Sequence, residues 1–255
     1  MEKLLEIKGV NLTYQSINSE TIAINDLNLD ISKYEFVSIV GPSGCGKTTI
    51  LSMIAGLIKP THGEILVNNK KIEKTTTDTA YMFQKDNLFE WLNIQKNVEI
   101  GLQIQKKKNK ENITYVHNLL NKYGLGEFKK HHPRELSGGM RQRVALIRTL
   151  ATSPSLLLLD EPFSALDYQT RLLVQNDIHS IIKNEKKTAI LVTHDIAEAI
   201  AMSDKIIVLT KRPGKVKNII ELNFDKTLSP FERRSAPNFN KYFSTVWEEL
   251  KNEEN

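Results

Sequence analysis

Apolar positions along this chain follow two periods, and the change from one to the other divides it. Residues 4–14 and 24–31 carry the period of two that marks a strand. In the second run Leu27, Leu29 and Ile31 alternate with Asn28 and Asp30, which predicts one buried and one wet face. Residues 36–40 are apolar almost throughout, as a strand covered on both sides is. Residues 50–57 then read as a helix. A turn cluster at 59–63 precedes a strand over 64–67, Asn68-Asn69 turns the chain, and 79–83 reads as another short strand. From about 87 to 153 the pattern is helical and lysine-rich. Within it Met140, Val144, Ile147 and Ala151 recur at helical intervals until Pro154 ends the run.

Strand character returns at 155–159, apolar on both faces as a central parallel strand is. A helix over 169–183, a strand over 188–192, a helix over 196–202 and a strand over 205–209 follow. Such alternation predicts an α/β fold with a mostly parallel sheet covered on both faces. The helical segment 87–153 is expected as an insertion in one α/β unit spanning 1–225. Beyond it, 226–255 form a less regular tail with a helix over 242–250.

Composition narrows the class without naming a function. The chain has 255 residues, enough for a sizeable core, with 40% hydrophobic and 25% charged residues, the balance of an ordinary globular protein. Thirty-five Lys and Arg against thirty Asp and Glu give a net charge of +5, spread rather than clustered, so nucleic acid is not the expected partner. The lone Cys45 allows no intrachain disulfide and suits a reducing cytosol. Met1-Glu2-Lys3 leads into a strand-like run without a signal-peptide pattern, and no stretch approaches the ~20 apolar residues of a membrane span. The run Lys106-Lys107-Lys108-Asn109-Lys110 is read as a solvated loop or helix end, and His131-His132-Pro133 as a surface turn.

Chemistry concentrates between the strand at 36–40 and the helix after it. Gly41-Pro42-Ser43-Gly44-Cys45-Gly46-Lys47-Thr48-Thr49 has the spacing of a P-loop in its strand–loop–helix context. Glycines let successive N–H groups converge on an anion, and the helix start adds the positive end of its dipole. Lys47 is placed to reach β- and γ-phosphates, and the Thr48 hydroxyl to ligate Mg²⁺. The strand at 155–159 ends in Asp160-Glu161, where doubly wound folds bind ligands. Asp160 is the candidate Mg²⁺ carboxylate and Glu161 the candidate base for an attacking water. A second helix start, Leu136-Ser137-Gly138-Gly139-Met140, offers another anion-binding end that one nucleotide does not need.

Those three motifs together closely resemble the ATP-binding-cassette (ABC) ATPases, and the resemblance runs from Leu4 to about Gly214. It implies a P-loop NTPase fold of ABC type, with N-terminal antiparallel strands beside the mostly parallel core and an inserted helical subdomain. It also implies two ATP molecules sandwiched between two subunits, each held by one P-loop and the partner's Ser137-Gly138-Gly139 loop. Residue by residue, Tyr14 matches the aromatic that stacks on adenine. Gln84, after Tyr81-Met82-Phe83, matches the glutamine that touches Mg²⁺ and water. Asp167, in Ser164-Ala165-Leu166-Asp167, matches the loop linking the two sites, and His194 the histidine on the γ-phosphate.

Finer likenesses point to the nitrate/sulfonate/taurine importer subfamily. The segment Phe89-Glu90-Trp91-Leu92-Asn93-Ile94 looks like the one that receives a permease's coupling helix. Phe163 to Asp167 with Thr170-Arg171, the Lys211-Arg212-Pro213-Gly214 run and Trp247 fit the same subfamily. Glu90 stands where that subfamily commonly has proline, and Ile147-Arg148-Thr149 replaces Ala-Arg-Ala. What the resemblance implies is an ATPase homodimer on the cytosolic face of a membrane, bound to permease subunits and served indirectly by a solute-binding protein, for uptake of nitrate, an alkanesulfonate, taurine or a thiamine-precursor pyrimidine. A soluble cassette acting on nucleic acid or the ribosome, and the cassette of an exporter, are the alternatives.

Overall fold

The computed structural model describes residues 2–16 and 19–254. Two sheets form the frame. Strands β1 (Lys3–Ser16), β2 (Ser19–Ser32), β4 (His62–Val67) and β5 (Lys70–Lys71) make an antiparallel sheet in the order β2-β1-β4-β5. The larger sheet runs β10-β9-β3-β8-β7-β6, from β3 (Phe36–Val40), β6 (Thr79–Met82), β7 (Leu156–Asp160), β8 (Thr188–Val192), β9 (Lys205–Leu209) and β10 (Val216–Glu221). Its strands are parallel except β10, which pairs antiparallel with β9 at the edge. This is the mostly parallel core with N-terminal antiparallel strands that the sequence predicts.

Burial follows the side-chain pattern. Every residue of β3, β7, β8 and β9 is buried, as strands covered on both faces require. In β2, Leu27, Leu29 and Ile31 are buried and Asn28 and Asp30 exposed, the predicted alternation. The Asn68-Asn69 turn has both residues at positive φ (51° and 60°), which Asn tolerates better than most residues, and joins β4 to β5.

Helices α1 (Lys47–Ile54), α2 (Ile94–Ile104), α3 (Lys110–Lys122), α4 (Gly138–Leu150), α5 (Tyr168–Asn184), α6 (Ile196–Met202), α7 (Pro230–Arg233) and α8 (Phe239–Glu254) complete the chain. The helix expected over 50–57 instead starts at Lys47 and ends before Gly56. There φ is +72° and a Cβ would lie 2.4 Å from the Lys74 backbone. Between β6 and β7 the chain is helical, and α2 to α4 share a core with the sheet through Val98, Leu120, Leu146, Leu157 and Leu191. Lys106 to Asn109 form the exposed link between α2 and α3.

Two differences concern the end of the chain. The strand β10 went unpredicted because Lys217, Asn218 and Glu221 interrupt its apolar residues, as suits an edge strand. The tail holds α7 as well as α8, and α8 is longer than the 242–250 expected. Phe239 and Val246 of α8 are buried in a cluster with Ile200 of α6, Val208 of β9 and Ile220 of β10.

Candidate nucleotide site

The loop 41–46 leaves the buried end of β3 and curls through two left-handed glycines, Gly44 (φ +75°) and Gly46 (φ +107°). Neither a bulkier nor an ordinary L residue suits Gly46, where a Cβ would also lie 2.6 Å from Ile24. Helices α2 to α6 each begin with an Asn, Ser or Asp side chain accepting a hydrogen bond from the first turn. In contrast, α1 begins at Gly46 with no side-chain cap and no acidic residue in its first turn. Its end therefore presents the uncompensated donors and positive dipole end that an anion binds. Lys47 folds back over the loop and donates to the Gly41 and Pro42 carbonyls at 2.8 and 3.0 Å. Its charge lies within electrostatic reach of the Asp160 carboxylate. Cys45 is buried beneath it, and burial pushes its thiol pKa up.

Beside the loop, β7 delivers Asp160. Its two oxygens accept from the Thr48 hydroxyl (3.1 Å) and the Tyr81 hydroxyl (2.9 Å). Burial raises the Asp160 pKa, against the hydrogen bonds that favour its charged form. The Thr48 hydroxyl and an Asp160 carboxylate oxygen are paired hard oxygens, the donor type Mg²⁺ takes. Gln84, exposed just beyond β6, turns its amide nitrogen to Ser164 Oγ at 3.1 Å, and Ser164 donates to the Glu161 carbonyl.

Next along the chain, Glu161 adopts φ +45°, a conformation a non-glycine residue takes only when its surroundings enforce it. Its N–H is tied to the Val192 carbonyl at 2.9 Å, the last residue of β8. The two strand ends thereby bring Glu161 Oε2 to 3.2 Å from Nδ1 of His194, whose ring is largely exposed. The predicted base and the predicted γ-phosphate histidine are therefore neighbours at one rim. Tyr14 of β1 is exposed, with its hydroxyl 3.5 Å from Thr49 Oγ1 at the start of α1.

The remaining predicted residues lie elsewhere. Ser137 caps α4, accepting from Met140 N, and the next two glycines are wedged against α5 and the loop before it. A Cβ on Gly138 would lie 3.2 Å from Leu166, and one on Gly139 2.8 Å from Val174. Asp167 caps α5 by accepting from Thr170 N, which with Thr170's side chain holds its pKa below the usual range. Within one chain, then, the glycines of the Ser137 loop are packed on α5 while the P-loop is packed on β2 and β9.

Several residues support the site in ways that the sequence did not assign to them. Tyr81 was read only as a strand residue; its role needs β6 beside β7. Gly214 joins the two sheets, exchanging backbone hydrogen bonds with Ala23 and Asn25, and a Cβ there would lie 2.3 Å from the Cys45 carbonyl. Arg141 and Arg148 of α4 hold the segment before Trp91. Arg141 pairs with Asp86 (2.8 Å) and Glu90 (3.1 Å), and Arg148 donates to the Asp86 and Asn87 carbonyls at 2.6 Å. Of these, the sequence singled out Gly214, in a run like that of the subfamily, and Glu90, as a departure from its pattern; Arg148 is the residue that the Ile147-Arg148-Thr149 stretch shares with that pattern.

Comparison with known proteins agrees with this geometry. The ABC transporter family profile matches residues 24–164. An uncharacterized ABC transporter ATP-binding protein of Bacillus subtilis (strain 168), YtlC, is 47% identical over 247 residues, which is 96% of this chain and 95% of that one. The taurine import ATP-binding protein TauB of Jannaschia sp. (strain CCS1) is 38% identical, covering 86% of this chain and 82% of its own. A solved dimeric ATP-binding cassette in a post-hydrolysis state, bound to ADP and Pi, superposes with a TM-score of 0.71 at 33% identity, over 87% of this chain and all of that one. With its P-loop, strand-end carboxylates and capped Ser-Gly-Gly helix in one frame, the chain belongs to the ABC transporter ATP-binding proteins and is an ABC-type ATPase.

Proposed function

We propose that this chain is the ATP-hydrolysing subunit of an importer, acting as a homodimer on a separate permease. The observation that carries the ATP chemistry is the juxtaposition of Glu161 and His194 beside the P-loop. ATP binds with its phosphates on the α1 N-terminus and Lys47, and with its base against Tyr14. Mg²⁺ would be held by Thr48, Asp160 and Gln84, and supplies neutralisation of phosphate charge when bound. Glu161 accepts the proton of the attacking water, and His194 orients the γ-phosphate. Catalysis is then chiefly positioning and electrostatic stabilisation.

Tyr14 and His194 beside the P-loop are exposed, and the Ser137-Gly138-Gly139 helix start of the same chain is packed on other elements, α5 and the loop before it. Both features are accounted for if a second copy supplies Ser137 and Gly139 to each nucleotide, with Asp167 at the junction. The dimeric cassette to which the chain is similar supports that reading. In this account the helical segment 87–153 is a subdomain inserted in the 1–225 cassette. Trp91, 74% exposed beside Phe89, marks the surface for the permease. No helix among the described residues is long and apolar enough to cross a membrane, so attachment to the cytosolic face would come through that partner.

Similarity to a taurine import subunit supports import of a small solute of the sulfonate or taurine kind, delivered by a solute-binding protein. Affinity purification of tagged Glu161→Gln protein from detergent-solubilised host membranes tests this. Recovery of a multi-span permease is expected, and the binding protein accompanying it identifies the solute. Recovery from the soluble fraction alone, on ribosomes or DNA, overturns the transport reading.

A further inference from the structure

His194 is largely exposed, and among the described residues its one ion-pair contact is with Glu161. Its position is therefore set by the turn that carries it. Thr193 is anchored by its N–H to the Ile39 carbonyl and accepts from Asp195 N at 3.0 Å. Asp195 in turn caps α6, accepting from Glu198 N at 3.0 Å. Glu198 is thus tied to the turn through its own N–H, and its side chain is close enough to Thr193 to be influenced by it.

Glu198 is only 3% exposed. A carboxyl group buried on a helix of apolar alanines and isoleucines costs several kcal/mol unless its partners are well placed, and a leucine would fill the space without that cost. The partner is Gln175 of α5, itself 1% exposed, whose Nε2 donates to Glu198 Oε2 at 2.8 Å. The other end of that amide accepts from Arg234 at 2.9 Å. A guanidinium on the oxygen and a carboxyl oxygen on the nitrogen fix the amide in one orientation. Arg234 follows directly on α7, which its neighbour Arg233 pins to the end of α6 by donating to the Ser203 and Ala201 carbonyls. The tail is thus connected by side chains, through α5 and α6, to the turn bearing His194.

We propose that Arg234 is a positioning residue for His194, acting through Gln175 and Glu198 on the Thr193–Asp195 turn, so that the tail sets the rate of hydrolysis. Gln175 transmits the constraint because its amide cannot flip while Arg234 is bound to it. Loss of Arg234 frees that amide, loosens Glu198 and lets the His194 turn drift. The P-loop, at the end of a different strand, is left as it was. The inference rests on the assignment of His194 to the γ-phosphate.

Steady-state hydrolysis of MgATP by the purified full chain tests it, with thermal melts run alongside. Arg234→Ala should lower kcat about ten-fold, a fraction of the ~10²-fold that a 1 Å misplacement of a catalytic group costs. KM for ATP should stay within about two-fold of wild type, since the binding contacts are untouched. Arg234→Lys, which keeps a cation there, should restore most of the rate, and Gln175→Met should reproduce the loss. In a His194→Ala background Arg234→Ala should have no further effect. Unchanged kcat in Arg234→Ala, a raised KM instead, or an undiminished loss in the His194→Ala background each overturns the proposal. If His194→Ala itself hydrolyses ATP normally, the assignment of His194 falls and this inference with it.

Discussion

At the scale of single residues, the site depends on a few side chains whose positions are fixed by backbone. Glu161 is held at positive φ by its bond to Val192 and so points to His194 rather than along the sheet. Glu161→Gln keeps that shape and removes the proposed base. Turnover should fall by at least ~10²-fold, the lower range for loss of general base catalysis, while ATP affinity stays within a few-fold. Single-turnover hydrolysis and fluorescent-nucleotide titration measure the two, and normal turnover would show that another group takes the proton. The P-loop, Asp160, Glu161 and the Ser137 helix start could be picked out as candidates in the sequence because each lies on one short stretch whose spacing encodes its own turn, whereas His194 stood out only through the family resemblance. Tyr81 and Gln175 were not legible. Their partners, Asp160 and Glu198, come from other strands and helices that only the fold brings near.

Element by element, α4 deserves its two glycines for a packing reason as well as a binding one. A methyl on Gly139 would press into Val174 of α5 at 2.8 Å, so Gly139→Ala should destabilise the chain by about 1–3 kcal/mol through overpacking. A shift in the chemical-denaturation midpoint reads this, and an unshifted midpoint would mean that α4 and α5 are free to separate. The same helix grips the segment before Trp91 through Arg141 and Arg148. Glu90, which breaks the subfamily's usual proline, is here the second carboxylate on Arg141. Half-exposed ion pairs contribute little to stability. Glu90→Pro should therefore leave the melting temperature nearly unchanged while loosening α4 from the Trp91 segment. The expected result is unaltered ATPase in the isolated chain and weaker stimulation in the permease-bound complex; equal loss in both would place Glu90 in folding instead.

Elements were the scale best read from sequence. Strands β3, β8 and β9 and helix α6 have their predicted limits, because buried parallel strands are short apolar runs with polar ends. The edge strand β10 and the α7 turn were missed, since neither has a face apolar enough to leave a period.

Across the whole molecule, two buried titratable groups act in opposite directions on pH stability. Burial pushes the Glu198 carboxyl up to about 7 from 4.5, with Asp195 adding repulsion and Arg171 and hydrogen bonds opposing it. The folded chain then keeps this proton through a window in which the unfolded chain has released it, so stability falls as pH rises from 4.5 to about 7. His179, against Phe36, is depressed to about 3 from 6.5 by burial, aided by Arg233 and Lys183, so it costs stability as pH falls below 6.5. Glu198→Gln removes the first effect only. Relative to wild type it should be nearly isostable at pH below 4.5 and more stable above pH 7, by at most roughly 3 kcal/mol. A difference that does not change with pH would mean Glu198 titrates normally.

The composite site is the central claim at this scale, and ATP-dependent association tests it most directly. Sedimentation of Glu161→Gln protein with and without MgATP should show a monomer that becomes a dimer on adding nucleotide. Ser137→Arg in the same background should abolish the dimer while leaving ATP bound to the P-loop. A Glu161→Gln chain that binds ATP yet stays monomeric, or a dimer indifferent to Ser137→Arg, would contradict a site completed by a second copy.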